Sequence, residues 1–187
     1  PHIDAKSDAQ LRKESKELKQ ELADAGVAAE MVAPRLWFSP KTIDGAYTSN
    51  DPRCRQYAID RSLRCIDIAN YLGTDLIVLW LAREGTYLRE AKNGRRSVEF
   101  LVQALDKMLA HDRKIRISIE PKPNEPRGDM YNATIGHMLA FIETLDHPEM
   151  VGVNPETAHE HMAGLNFLHG VAQAWEAGKL FHIDLND

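Results

Sequence analysis

Glu120, Glu156, His159 and Asp184 are the residues whose types and spacing could do chemistry together. Each carboxylate stands at or near the end of a short apolar run: residues 115–120 stopped by Pro121, residues 150–154 stopped by Pro155, and residues 180–186. Three carboxylates on one rim repel one another unless a cation lies between them. Hard oxygen ligands suit magnesium or manganese, and one imidazole widens the choice to cobalt. His159 supplies that imidazole three residues after Glu156, a spacing at which both side chains converge if the segment turns helically. Taken singly, each acid reads as a solvated loop residue and His159 as a turn cap. The four together at strand ends favour a metal site.

The two-residue period of a strand adds to this over 180–186. His182, Asp184 and Asn186 then face one way, toward the inside, and Ile183 and Leu185 face the other. Polar side chains turned inward need partners, and a metal and a substrate would provide them. Lys122 follows Glu120 by two positions in a loop stiffened by Pro121, Pro123 and Pro126. Beside a bound metal it could polarise a carbonyl or hydrogen-bond a hydroxyl; the plain alternative is a loop salt bridge. Trp37 and Trp80 lie at or after strand ends, where they could wall a pocket and exclude water, or simply pack. There is no glycine-rich phosphate loop and no Gly-x-Ser-x-Gly elbow. His2, His111, His137, His147, His161 and His169 receive no role from their spacing.

Helices and strands must alternate to position these residues. Ser7 or Asp8 caps a helix carrying Leu11, Leu18 and Leu22, which Gly26 ends. Residues 27–33 read as a strand stopped by Pro34. Asp51-Pro52 opens a helix whose stripe is Tyr57, Ile59, Leu63, Ile66, Ala69 and Leu72, closed by Gly73. Strands are expected over 75–80, 115–120, 150–154 and 180–186, and helices over 97–110, 132–145 and 167–177. Such alternation argues for a parallel sheet with helices outside. An open doubly wound sheet would gather polar residues at the same strand ends. A (β/α)₈ barrel is preferred because three separate strands each deliver a carboxylate to one rim.

At 43% hydrophobic and 27% charged, the chain can build a core and solvate it, which excludes a disordered tail. Acidic residues outnumber basic ones by 28 to 23, net charge −5, so the basic face of a nucleic-acid binder is not expected. The longest apolar run, residues 76–82, is far too short to span a bilayer. A soluble, cytoplasmic protein is the expectation. Cys54 and Cys65 fall on one helix about 16 Å apart, too far for a disulfide, and read as reduced packing residues.

Three stretches carry a resemblance to a known family. Ile119-Glu120-Pro121-Lys122-Pro123-Asn124-Glu125-Pro126-Arg127-Gly128-Asp129 resembles the fifth-strand loop of the xylose isomerases, especially their shorter-chain class. Gly152-Val153-Asn154-Pro155-Glu156 with His159, followed by Met162-Ala163-Gly164-Leu165-Asn166-Phe167, and Gly178-Lys179-Leu180-Phe181-His182-Ile183-Asp184-Leu185-Asn186 resemble later segments. The likeness is strongest over 115–186 and looser over 7–110, where Trp80 with Arg83-Glu84-Gly85 is the best anchor. It implies an α/β fold, a partial TIM (β/α)₈ barrel of about five parallel strands, the third to the seventh. A full barrel needs ~250 residues. The 187-residue chain therefore reads as one incomplete barrel domain, missing the N-terminal strands and the C-terminal part.

The resemblance also implies a reaction. In the family, usually homotetrameric, two divalent cations drive interconversion of an aldose and its ketose. Glu120, Glu156 and Asp184 resemble ligands of the structural metal, Glu156 bridges to the catalytic metal, and His159 helps to bind the latter. Lys122 resembles the lysine at the substrate carbonyl, and Trp80 the tryptophan walling the pocket. The implied activity is conversion of D-xylose to D-xylulose by a metal-assisted hydride shift with Mg2+, Mn2+ or Co2+. Trp37 stands where the family has phenylalanine, and Ala33 and Arg35 replace a threonine and an asparagine near the sugar. The family's His–Asp ring-opening pair falls upstream of residue 1 and its Asp-x-Asp pair downstream of Asp187, so residues 1–187 alone are expected to be inactive. The rival readings are another divalent-metal barrel, such as a ketose epimerase or an abasic-site endonuclease, and a non-catalytic remnant of the barrel.

Overall fold

The computed structural model describes residues 3–125 and 128–186. His2, Pro126 and Arg127 lie outside the described residues. The first helix, α1 (Asp8–Asp24), opens on a capping box: Ser7 Oγ accepts from Gln10 N, and Gln10 Oε1 accepts from Ser7 N. Gly26 follows its end at φ +73°, a left-handed conformation that glycine adopts without penalty. Leu11 and Ser15 are buried, but Leu18 is 44% exposed and Leu22 only half-buried. The expected three-leucine stripe therefore docks only through its N-terminal half.

Helix α2 (Pro52–Leu72) starts on Asp51, whose side chain accepts from Arg53 N, and stops at Gly73. Its buried face runs Ala58, Ile59, Ser62, Cys65, Ile66 and Ala69, with Tyr57, Leu63 and Leu72 half-buried beside it. Then come β1 (Leu76–Trp80), β2 (Gly85–Thr86), α3 (Gly94–His111), β3 (Arg116–Glu120) and β4 (Asp129–Met130). The chain continues with α4 (Ile135–Ile142), β5 (Val151–Val153), α5 (Thr157–Met162) and α6 (Phe167–Glu176). Asn93 caps α3, whose first residue, Gly94, lies three before the expected start, and Thr134 caps α4, which is shorter than the expected 132–145. Among the described residues no helix is long and apolar enough to cross a membrane. Both cysteines are free, as expected.

The main sheet is parallel, in the order β1–β3–β5. Its register sets Val78 beside Ser118 beside Gly152, and Trp80 beside Glu120. Strand alternation then divides the faces. Ile77, Leu79, Ile117, Ile119, Val151 and Val153 enter the core with Leu101, Leu105 and Met108 of α3 and Ile135, Met138 and Ile142 of α4. Val78, Ser118, Gly152, Trp80, Glu120 and Asn154 share the opposite face. Burial on both faces is the mark of a parallel sheet covered by βαβ crossovers.

Two expected strands are corrected. Residues 27–33 pair only at Val32, which bridges Ile77 at one edge of the sheet; Val27 is 55% and Met31 38% exposed. Residues 180–186 make two isolated bridges at the other edge, Leu180 to Val153 and Asp184 to Glu156. The cause is Pro155, which has no N–H to offer the ladder. Val153 N donates to Lys179 O and Phe181 N to Val153 O, after which Asp184 N reaches Pro155 O and Thr157 N reaches Asp184 O. Four positions on one segment thus span three on the other, a bulge. Before the bulge, Phe181 lies against Gly152, where an added Cβ would meet its ring at 2.5 Å.

An antiparallel ribbon, β2 with β4, was not legible in the pattern. It ties the loop after β1 to the loop after β3. Gly85 permits it, because a Cβ there would meet the Asp129 carbonyl oxygen at 2.3 Å.

Candidate functional site

The end of β3 and the start of α5 bring three functional side chains together. Glu120 is the last residue of β3, and Glu156 is the N-cap of α5, its Oε2 accepting from His159 N at 2.9 Å. That cap is what turns the Glu-x-x-His segment helically, as its spacing requires. Nδ1 of His159 lies 2.6 Å from Glu156 Oε2 and 3.2 Å from Glu120 Oε1. One ligand atom from each of Glu120, Glu156 and His159 lies within 4.8 Å of the other two. All three residues are buried, at 8%, 6% and 6% exposure.

These groups crowd together without pairing well. His159 Nδ1 is buried and makes no hydrogen bond of acceptable geometry, although carboxylate oxygens adjoin it. Burial pushes the Glu120 carboxyl above its usual range, and the nearby charges of Asp184 and Glu156 push the same way, while His159 opposes them. Two oxygen donors and one imidazole with unspent lone pairs are the donor set of a divalent cation. The residues present fit a metal.

Asp184 falls outside that tight group. It is half-buried, and its Oδ2 accepts from Asn154 Nδ2 at 2.7 Å. It nevertheless lines the same cavity, together with Trp80, Lys122, Glu120, Glu156, His159 and Asn186. Lys122 is half-buried with its Nζ 5.1 Å from the centre of the Trp80 ring, a cation–π contact that seats the ammonium on the cavity wall. Trp37 lies in a short 3₁₀ turn, Leu36–Phe38, and meets Trp80 edge-on at 5.1 Å. It backs the wall rather than lining the cavity. Arg83 secures it by donating from Nε and Nη2 to Trp37 O, each at 3.4 Å.

Sequence reasoning gave no role to three residues here. Asn154, fully buried, holds Asp184; its position two residues after Gly152 on the inward face was the available signal. Glu84 is 3% exposed and accepts from Ala46 N, Tyr47 N, Thr48 N and Thr48 Oγ1, so it pins the loop before α2. Glu30 contacts His182 across the sheet, Oε1 to Nδ1 at 3.0 Å. Glu84 stands in the Arg83-Glu84-Gly85 anchor, but nothing local marked its role, and nothing local marked Glu30.

Residues 2–187 match the family model described as the xylose isomerase-like TIM barrel. The chain belongs to the xylose isomerase-like TIM barrel family. Over 173 residues it is 50% identical to the xylose isomerase of Thermus thermophilus. That match covers 90% of this chain but 45% of the relative, so the chain spans less than half of that protein. Among solved structures, a D-tagatose 3-epimerase-like protein superposes with a TM-score of 0.73 at 20% identity, covering 94% of this chain and 62% of that one. The apo form of 3-keto-D-glucoside 4-epimerase from E. coli gives 0.72 at 14% identity, covering 95% and 66%. At these identities the structures establish a shared fold. Within a xylose isomerase-like barrel, the carboxyl ends of the strands form the rim where sites are built, which is where Trp80, Glu120 and Glu156 stand.

Proposed function

We propose that the complete protein is a metal-dependent aldose–ketose isomerase that converts D-xylose to D-xylulose. The observation that carries this reading is the buried, poorly paired group of Glu120, Glu156 and His159. The 50% identity to a xylose isomerase supports the choice of reaction. On this reading residues 1–187 are a single incomplete (β/α)₈-barrel domain carrying the third to seventh strands. The complete enzyme is a cytoplasmic homotetramer with two divalent cations per active site, Mg2+, Mn2+ or Co2+, and a small sugar as its partner.

A divalent cation supplies electrostatic stabilisation of charge on the sugar oxygens. Glu120, Glu156, His159 and Asp184 would contribute ligands to the two cations of the site. Lys122 donates a hydrogen bond from its ammonium to the C1 carbonyl oxygen, which draws charge toward that oxygen. Trp80, backed by Trp37, gives the sugar a flat apolar wall and keeps water from the reacting carbons. With water excluded, a hydride passes from C2 to C1 while the C2 hydroxyl gives up its proton and the C1 oxygen gains one. Atoms and electrons balance within the sugar.

A ketose epimerase is the second reading, favoured by the fold shared with the two epimerase structures. Incubating the full-length protein with D-xylose and each of magnesium, manganese and cobalt separates the two. Formation of D-xylulose is expected. No turnover with any of the three metals, or epimerisation of a ketose at C3 instead, would overturn the isomerase reading.

A further inference from the structure

Glu30 and His182 come from opposite edges of the sheet. Residue 30 precedes Val32, which bridges β1, whereas His182 lies between the two bridges to β5 and α5. Their contact, His182 Nδ1 to Glu30 Oε1 at 3.0 Å, requires the sheet to curl until its edges face each other. His182 is the better buried of the two, with 11% of its side chain exposed against 72% for Glu30.

The other face of the imidazole meets the site. Nε2 of His182 lies 3.3 Å from Oδ1 of Asp184. The second oxygen of Asp184 accepts from the fully buried Asn154. Asp184 follows the bulge opposite Pro155; bonds from its N to Pro155 O and from Thr157 N to its O fix its backbone but not its side chain. Its two side-chain torsions are set instead by contacts at both oxygens. A carboxylate oxygen keeps a lone pair for a cation after accepting one bond. Partners behind a metal ligand, which fix its orientation before the metal arrives, typically contribute about 10–100-fold to affinity.

We propose that His182, braced by Glu30, is a positioning residue that fixes the Asp184 carboxylate for metal binding. This rests on the metal-site reading above. Asn154 sets one oxygen from the sheet, His182 sets the other, and Glu30 keeps the ring from swinging away. The Glu30 contribution is the smaller, because its carboxylate is largely solvated.

The test is a cobalt titration of the full-length protein, read by visible absorption and by calorimetry. His182→Gln is expected to weaken cobalt binding about 10–100-fold and to change the cobalt absorption band. Glu30→Gln should weaken it about 2–5-fold with the same direction of spectral change. The double variant should bind no more weakly than His182→Gln, because the brace acts only through the ring. Unchanged affinity and spectrum in His182→Gln overturn the inference, whatever happens to the melting temperature. If His182→Gln does not fold, Glu30→Gln decides on the same two readouts. Absence of cobalt binding by the unsubstituted protein overturns the metal-site reading itself and the inference with it.

Discussion

Two buried acidic sites in this molecule are built in opposite ways. Glu84 is surrounded by donors: three backbone N–H groups and the Thr48 hydroxyl, at 2.6 to 3.1 Å. Burial raises its pKa, and those four bonds oppose the rise. Glu120 and Glu156 are about as buried, yet apart from the His159 N–H that caps onto Glu156 their near neighbours are another carboxylate and a histidine nitrogen that makes no proper hydrogen bond. The first acid accepts four hydrogen bonds, whereas of the second pair Glu156 accepts one, from His159 N. Burial alone therefore marks neither site; the kind of partner does. An acid ringed by donors organises a loop, and acids set against each other and an imidazole suit a cation.

Removing the first acid should cost the most stability. Glu84→Ala leaves three buried N–H groups and a hydroxyl without an acceptor, at about 1–3 kcal/mol for each group left unmet. A loss of roughly 3–5 kcal/mol is expected, as when one partner of a buried charge pair is removed. Chemical denaturation of the full-length protein would show it. A change below about 1 kcal/mol would mean that water or relaxation replaces those bonds and that the contrast between the two sites does not hold.

The second pair should behave in the reverse sense. Glu156→Gln is expected to reduce turnover of D-xylose by more than about 100-fold, consistent with loss of a metal ligand. Metal-free stability should hold or rise, since one repelling charge is gone while the amide oxygen can still cap α5. Kinetics and metal-free thermal melts on the same variant test both halves. Metal itself sharpens the comparison further. At a free concentration about 100 times Kd, a bound cation stabilises the folded protein by about 2.7 kcal/mol. That gain should appear in the unsubstituted protein and in a folded Glu84→Gln variant, and vanish in Glu156→Gln. Equal metal-induced shifts in all three would place the cation elsewhere.

What the sequence showed of these two sites differs for a physical reason. Glu120, Glu156 and His159 are legible because local rules place them: a proline ends each strand, and a three-residue spacing spans one helical turn. The alternation of elements is legible on the same grounds, since helix caps and apolar runs are short-range signals. The role of Glu84 is not, because its donors lie 36 to 38 positions away. Nor is the slip opposite Pro155, which arises only when one segment pairs with another that lacks an N–H. That slip leaves 180–186 as bridges and Asp184 outside the tight group, although alternation predicted a regular inward row. The β2–β4 ribbon is hidden for the same cause, being a meeting of two loops.

Asp75 completes the series as an acid that is neither buried nor left unmet. It faces Arg116 at the start of β3 through two bonds, 2.9 and 3.0 Å, with more than 40% of each side chain exposed. The Arg116 hydrogen bonds hold its carboxyl below the usual range. A depressed folded pKa contributes stability that is fully present above the unfolded value, near ~3.9, and is lost as pH falls through the folded one. Asp75→Asn should therefore cost only about 0.5 kcal/mol at neutral pH, less in high salt, and nothing once both forms are protonated in acid. Denaturation midpoints of the two proteins, followed from pH 7 downward, should converge below about pH 4. A gap that persists in acid would show that Asp75 acts by packing rather than by charge.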